Sequence, residues 1–107
     1  MTALEKMEII AKLQDNWDGY GATTFPSIFI NKIKNLIPSL IVCPEIFPTT
    51  NNSIQFEYNK ADDSHLEIEI FPNNTAEVYI INDKSESVFM IPATSNKIND
   101  VIKAFYN

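Results

Sequence analysis

Four kinds of side chain here could do chemistry: clustered carboxylates, Asp18, the single histidine and the single cysteine. Glu57, Glu67, Glu69 and Glu77 each sit between apolar residues in alternating runs such as Leu66-Glu67-Ile68-Glu69-Ile70. Carboxylates gathered on one surface can share a proton, hold a hard cation or meet a basic partner. Asp18 precedes Gly19, where a carboxylate most simply caps a turn by accepting backbone N–H groups; a ligand or catalytic acid is the sharper alternative. His65 follows Asp62 and Asp63. No motif puts a serine or cysteine beside it, and a metal centre needs more donors than one histidine and unplaced acids. Cys43 lies between Val42 and Pro44 with no base or cation nearby, so an inert buried thiol is expected. Neither G-x-x-x-x-G-K-[ST] nor G-x-G-x-x-G occurs. The residues therefore predict no catalytic set, no metal and no cofactor.

Positioning begins at Asn16-Trp17-Asp18-Gly19-Tyr20-Gly21-Ala22. This stretch holds the only Trp and both glycines of the 107 residues. Glycine reaches φ > 0 at no steric cost, so two within three residues mark a tight turn. Trp17, Asp18, Gly19, Tyr20 and Gly21 are thus expected to form a structural box, with Gly19 or Gly21 at positive φ. Trp17 is expected to be mostly buried between the first helix and the sheet.

Apolar residues at helical spacing predict a first helix over 3–14. A second begins with Pro26 as its first residue or Ser27 as its cap and ends near Ile37, because Pro38 cannot sit deep in a helix. Ile98, Val101, Ile102 and Phe105 predict a last helix capped by Ser95 or Asn96. Between them alternation takes over, predicting strands at 53–59, 65–71, around Glu77 to Ile80, and from Ser87 to Ile91. Glu45-Ile46-Phe47, bracketed by Pro44 and Pro48, is at best a short edge segment. The expected fold class is α+β. One domain over 1–107 would hold an antiparallel sheet of about four strands with helices packed on one face, in the order ααββββα.

A hairpin over the 60–64 loop puts Glu57 opposite Glu67 and Gln55 opposite Glu69. One of two registers of the 72–75 turn adds Glu77 to the same face, with Tyr79 beyond it. Like charges directly opposite one another are destabilising. Gln55, Glu57, Glu67, Glu69, Glu77 and Tyr79 are therefore read as a docking surface for a Lys/Arg-rich protein, against the plainer reading of a solvated face or a divalent-metal site.

Fourteen acids, eight lysines and no arginine give a net charge of −6. Nucleic acid is excluded as a partner on that balance, since affinity there rests on neutralising phosphates. Sixteen isoleucines and twelve asparagines beside zero arginines suggest an AT-rich genome. The first residues carry an acid and no long apolar run, so neither a signal peptide nor a membrane span is expected. The lone thiol fits a reducing cytoplasm.

The box, followed by Pro26-Ser27, and the stretch Pro44-Glu45-Ile46-Phe47-Pro48-Thr49 running into Ile54–Tyr58 and Leu66–Ile70 together resemble a family of small uncharacterised proteins of bacteria and mobile elements with a W-D-G-x-G-A box. The resemblance covers roughly residues 10–80. Asn51-Asn52 stand where that family has an Asp-Gly turn, and Tyr58 where it has Trp. It implies an intracellular domain of a phage or other mobile element and no particular activity. The expected function is a non-enzymatic interaction protein, antitoxin-, immunity- or inhibitor-like, with self-association left open. The alternatives are a small enzyme using carboxylates of the sheet or the box, and a small-ligand module using the apolar Leu40-Ile41-Val42.

Overall fold

The computed structural model describes residues 1–107. Three helices and five strands follow one another as α1 (Ala3–Ala11), α2 (Ser27–Leu36), a 3₁₀ turn (Ile37–Ser39), β1 (Glu45–Pro48), β2 (Ile54–Asn59), β3 (His65–Ile70), β4 (Thr75–Ile81), β5 (Glu86–Pro92) and α3 (Ser95–Tyr106). The strands form one antiparallel sheet in the order β1-β2-β3-β4-β5. The class is α+β as expected, but the sheet has five strands rather than four. The fifth is β1. Thr49 N–H donates to the Ser53 carbonyl, so the alternating ladder turns the backbone of Pro48 away from β2. On an edge strand a missing donor on that side costs nothing, so Pro48 is tolerated.

Alternation along β2, β3 and β4 sorts the two faces. Ile54, Phe56, Leu66, Ile68, Ile70, Ala76 and Val78 are sealed from solvent, together with the nearly buried Tyr58. They join Met7, Ile10, Phe29, Ile33, Ile98, Ile102 and others in one cluster of 22 buried residues. The helices lie over this face, and the other face is left to the polar set.

Several local boundaries differ from expectation for identifiable reasons. α1 starts in a capping box, Thr2 accepting from the Glu5 N–H while the Glu5 carboxylate accepts from the Thr2 N–H. It ends at Ala11 rather than residue 14, and Leu13 still packs on the core from outside the helix. Ser27 is the first residue of α2, and Pro26 stands at its N-cap without a side-chain bond. Thr94, rather than Ser95 or Asn96, caps α3 by accepting from the Lys97 N–H. Asn99 ties α3 to the chain entering the sheet: its amide donates to the Ser39 carbonyl and its carbonyl accepts the Ile41 N–H. No helix is long and apolar enough to cross a membrane.

Candidate functional site

The glycine box closes on itself through hydrogen bonds. Asp18 Oδ1 accepts the N–H groups of Tyr20 (2.9 Å) and Ala22 (3.1 Å). Asn16 Oδ1 accepts Gly21 N–H at 2.7 Å, and Asp15 Oδ1 accepts Thr24 N–H at 2.9 Å. Both glycines have positive φ, +79° at Gly19 and +92° at Gly21, and Asn16 joins them at 64°. The two N–H donors hold the Asp18 carboxyl below the usual aspartate range. This is the geometry of a turn cap.

Trp17 is mostly but not fully buried, packed against the edge of the core. Its indole N–H donates to the Thr23 carbonyl at 3.1 Å while the ring leans on Phe25, centroids 6.3 Å apart. An indole needs a partner for its N–H, and satisfying it at the loop keeps the ring at the rim of the core. The Tyr20 side chain is 93% exposed, so this residue serves the box through its backbone N–H. Cys43 is exposed rather than buried, because the neighbouring Pro44 takes the inward position.

The sheet brings together the residues of the polar face. Gln55 stands opposite Glu69 and Glu57 opposite Glu67, and on the next strand Glu69 faces Glu77 and Glu67 faces Tyr79. β1 adds a residue that the sequence reading missed, since Glu45 stands opposite Glu57. A row of three glutamates, Glu45, Glu57 and Glu67, therefore crosses three strands. A second row, Gln55, Glu69 and Glu77, runs beside it. None of the five strands contains a lysine. At the β1 edge, Lys6 of α1 sits with its Nζ 4.9 Å from the centre of the Phe47 ring.

Side chains of Gln55, Ser53 and His65 hold three of these carboxylates. Gln55 Nε2 donates to Glu57 Oε2 at 2.7 Å. Ser53, fully buried in the β1–β2 turn, donates its hydroxyl to Glu69 Oε2 and also meets the Thr49 hydroxyl. His65 Nε2 lies 2.9 Å from Glu67 Oε1, and its Nδ1 lies 2.6 Å from Asn59 Oδ1, directly across the ladder. The Tyr79 hydroxyl donates to Glu86 at the start of β5; that bond, with the charge behind it, holds the phenol above its usual range. The signal for His65 was present in the sequence, because it shares the parity of Glu67 and Glu69 on one strand. Glu86 was visible only once Ile81 was paired with it.

Glu57, His65 and Glu67 offer ligand-type atoms all within 4.8 Å of one another. A closed metal centre takes four or more donors, and both nitrogens of His65 already have protein partners. No depression is lined by Glu57, Glu67, Glu69 or Glu77; only Glu45, at the β1 end of its row, borders one. The three surface depressions measure about 320 Å³ beside α1, Glu45 and Phe47, about 230 Å³ beside Lys60 and Phe105, and about 440 Å³ beside Asp18 and Thr50. None is lined by Leu40, Ile41 or Val42, which leaves the small-ligand reading without a pocket there.

The box and the face are connected. The Thr23 hydroxyl donates to Asn52 Oδ1, and Asn52 sits in the same turn as Ser53. The box braces the turn that holds Glu69. No family model, curated protein or solved structure matches this chain.

Proposed function

We propose that the polar face of the sheet is a docking surface for a basic protein, and that the chain acts as a non-enzymatic interaction domain, antitoxin-, immunity- or inhibitor-like, in the cytoplasm of a bacterium that carries it on a phage or other mobile element. The observation that carries this reading is the pair of glutamate rows, with Glu57 opposite Glu67 and Glu69 opposite Glu77. Like charges opposite one another cost stability, and a face made only to meet water would be better served by Lys or Thr alternating with Glu. Donors from Ser53, Gln55 and His65 hold three of the carboxylates in place. Pre-set carboxylates lose less freedom when a lysine or arginine arrives. A face with no cleft at Glu57, Glu67, Glu69 or Glu77 suits a macromolecular partner better than a small substrate.

The test is capture from the native host with the wild-type chain and with a variant carrying Glu57→Gln, Glu67→Gln and Glu69→Gln together. A basic protein held by the first and lost by the second is expected. With that partner purified, its association rate should fall as salt rises, since charge steering is screened beyond about 8 Å in physiological salt. Binding indifferent to the triple substitution would sink the reading.

A further inference from the structure

The two edges of the sheet are treated differently. β1 is four residues long, follows Pro44, ends on Pro48, and has α1 against it. Short length, proline and a covering helix are the usual protections of a sheet edge. β5 is less protected: α3 meets it, yet Val88, Phe89 and Met90 stay exposed. It runs seven residues, Glu86-Ser87-Val88-Phe89-Met90-Ile91-Pro92, with no lysine and its one proline at the last position. Both its faces carry exposed apolar side chains: Val88 is 60% exposed and Met90 55% on the glutamate side, and Phe89 is 41% exposed on the helix side.

The backbone shows which groups of β5 lack a partner. Asn82 N–H donates to the Ser85 carbonyl, so the ladder's alternation turns Ser87, Phe89 and Ile91 toward β4. The bond from Ala93 N–H to the Asn74 carbonyl falls on the same parity. Glu86, Val88 and Met90 therefore present N–H and C=O outward, while at Pro92 the missing N–H falls on the open side. Nothing is lost from β4–β5 pairing by that proline.

We propose that β5 pairs antiparallel with β5 of a second copy of this chain, about a two-fold axis through Phe89, to make one continuous ten-stranded sheet. β5 is complementary to itself in that register. Val88 of each copy meets Met90 of the other, and their outward groups form reciprocal hydrogen bonds. Glu86 N–H reaches the carbonyl of Pro92, the only backbone group that a proline can still offer there. The two Phe89 rings face each other at a non-hydrogen-bonded position, where side chains come closest and aromatic pairs gain most. The only charge on the strand, Glu86, meets Pro92 rather than a second glutamate. A two-fold axis closes the assembly at two copies and hides both open edges, so no further strand can add.

The experiment is the mass in solution over a dilution series, by light scattering or sedimentation. The wild type should move from 12.2 kDa toward twice that as concentration rises. Val88→Lys with Met90→Lys changes two side chains already exposed in the single chain, so circular dichroism should match the wild type while the mass stays at one copy. Register is read by disulfide formation in a Cys43→Ser background. Phe89→Cys should cross-link to its own copy, because the axis passes beside it, and Ser87→Cys should not. A wild type that remains at one copy at its highest attainable concentration overturns the proposal. A dimer that survives the lysine pair, or cross-links equally well through Ser87→Cys, does so too.

Discussion

Ser53, a fully buried hydroxyl in the turn between β1 and β2, donates its proton to the Glu69 carboxylate on β3. A turn residue thus fixes a charge on the sheet face, and Thr49 completes the chain of hydroxyls behind it. Ser53→Ala should remove one hydrogen bond to a charged group and leave the Thr49 hydroxyl with only the Asn51 N–H as partner. The expected loss is about 1.5–3 kcal/mol. Denaturant titration of the variant checks it, and a loss of only a few tenths would mean that solvent replaces Ser53 at no cost.

The glycines of the box should resist substitution for backbone reasons alone. A Cβ built at Gly19 or Gly21 meets nothing within 4 Å, yet φ is +79° and +92°. Gly21→Ala should therefore cost roughly 1–2 kcal/mol, the penalty of holding an L-residue in left-handed backbone. Gly19→Asn should cost less than Gly19→Val, because Asn tolerates that region and a β-branched residue does not. Thermal unfolding of the two Gly19 variants side by side gives the ranking directly.

Trp17→Ala should destabilise by about 2 kcal/mol, short of the 3–5 kcal/mol typical when a fully buried aromatic is truncated. Trp17→Phe keeps the ring against Phe25 and loses the indole bond to Thr23, so about 1 kcal/mol of that loss should remain. If the two variants prove equally unstable, the indole N–H rather than the ring anchors the loop.

Acid should act on the box through Asp18. Its carboxyl is held below the ordinary value of 3.8, foremost by the Tyr20 N–H and then by that of Ala22. A depressed folded value means that its stabilisation is complete above 3.8 and drains away as pH falls through the lower folded value. Asp18→Asn should thus melt below the wild type near neutral pH, and the gap should close on acidification past 3.8. A gap independent of pH would show that the charge of Asp18 contributes nothing.

Stability and docking should part company at Glu77. It is exposed and faces Glu69 across the ladder. Glu77→Lys turns an opposed like-charge pair into an attractive one, which should stabilise the fold by about 0.2–1 kcal/mol. The same change puts a positive charge on the proposed docking face, so affinity for a basic partner should drop. Urea midpoints together with binding to the captured partner would read both effects.

The glutamate register was legible because loop length and parity leave few choices. A five-residue loop at 60–64 fixes Glu57 against Glu67, and alternation then carries Gln55 and Glu69 with it; Glu77 depended on which of two registers the 72–75 turn takes, and the β3–β4 pairing puts it opposite Glu69. Other features depend on information that local pattern does not hold. The prolines around Glu45–Phe47 argue against a strand until the strand is known to be an edge, and so Glu45 dropped out of the face. Ser53 looks like any turn serine, since its acceptor lies 16 residues away. Cys43 sits in an apolar neighbourhood, but which of Cys43 and Pro44 points inward is decided by the path from the 3₁₀ turn into β1.

Because each strand hydrogen-bonds to the strand next to it in the chain, the whole sheet can form by successive hairpin closures, with no crossover awaiting a distant segment. Each closure spans only a short loop, so its entropic cost is small and the contact order of the sheet is low. The helices then have a template: α2 and α3 dock onto an apolar surface that the meander has already assembled, and Asn99 latches the last helix to the connection at Ser39 and Ile41. The kinetic barrier should accordingly lie in helix docking rather than strand pairing, and substitutions in the buried stripe of α3 should slow folding as well as accelerate unfolding.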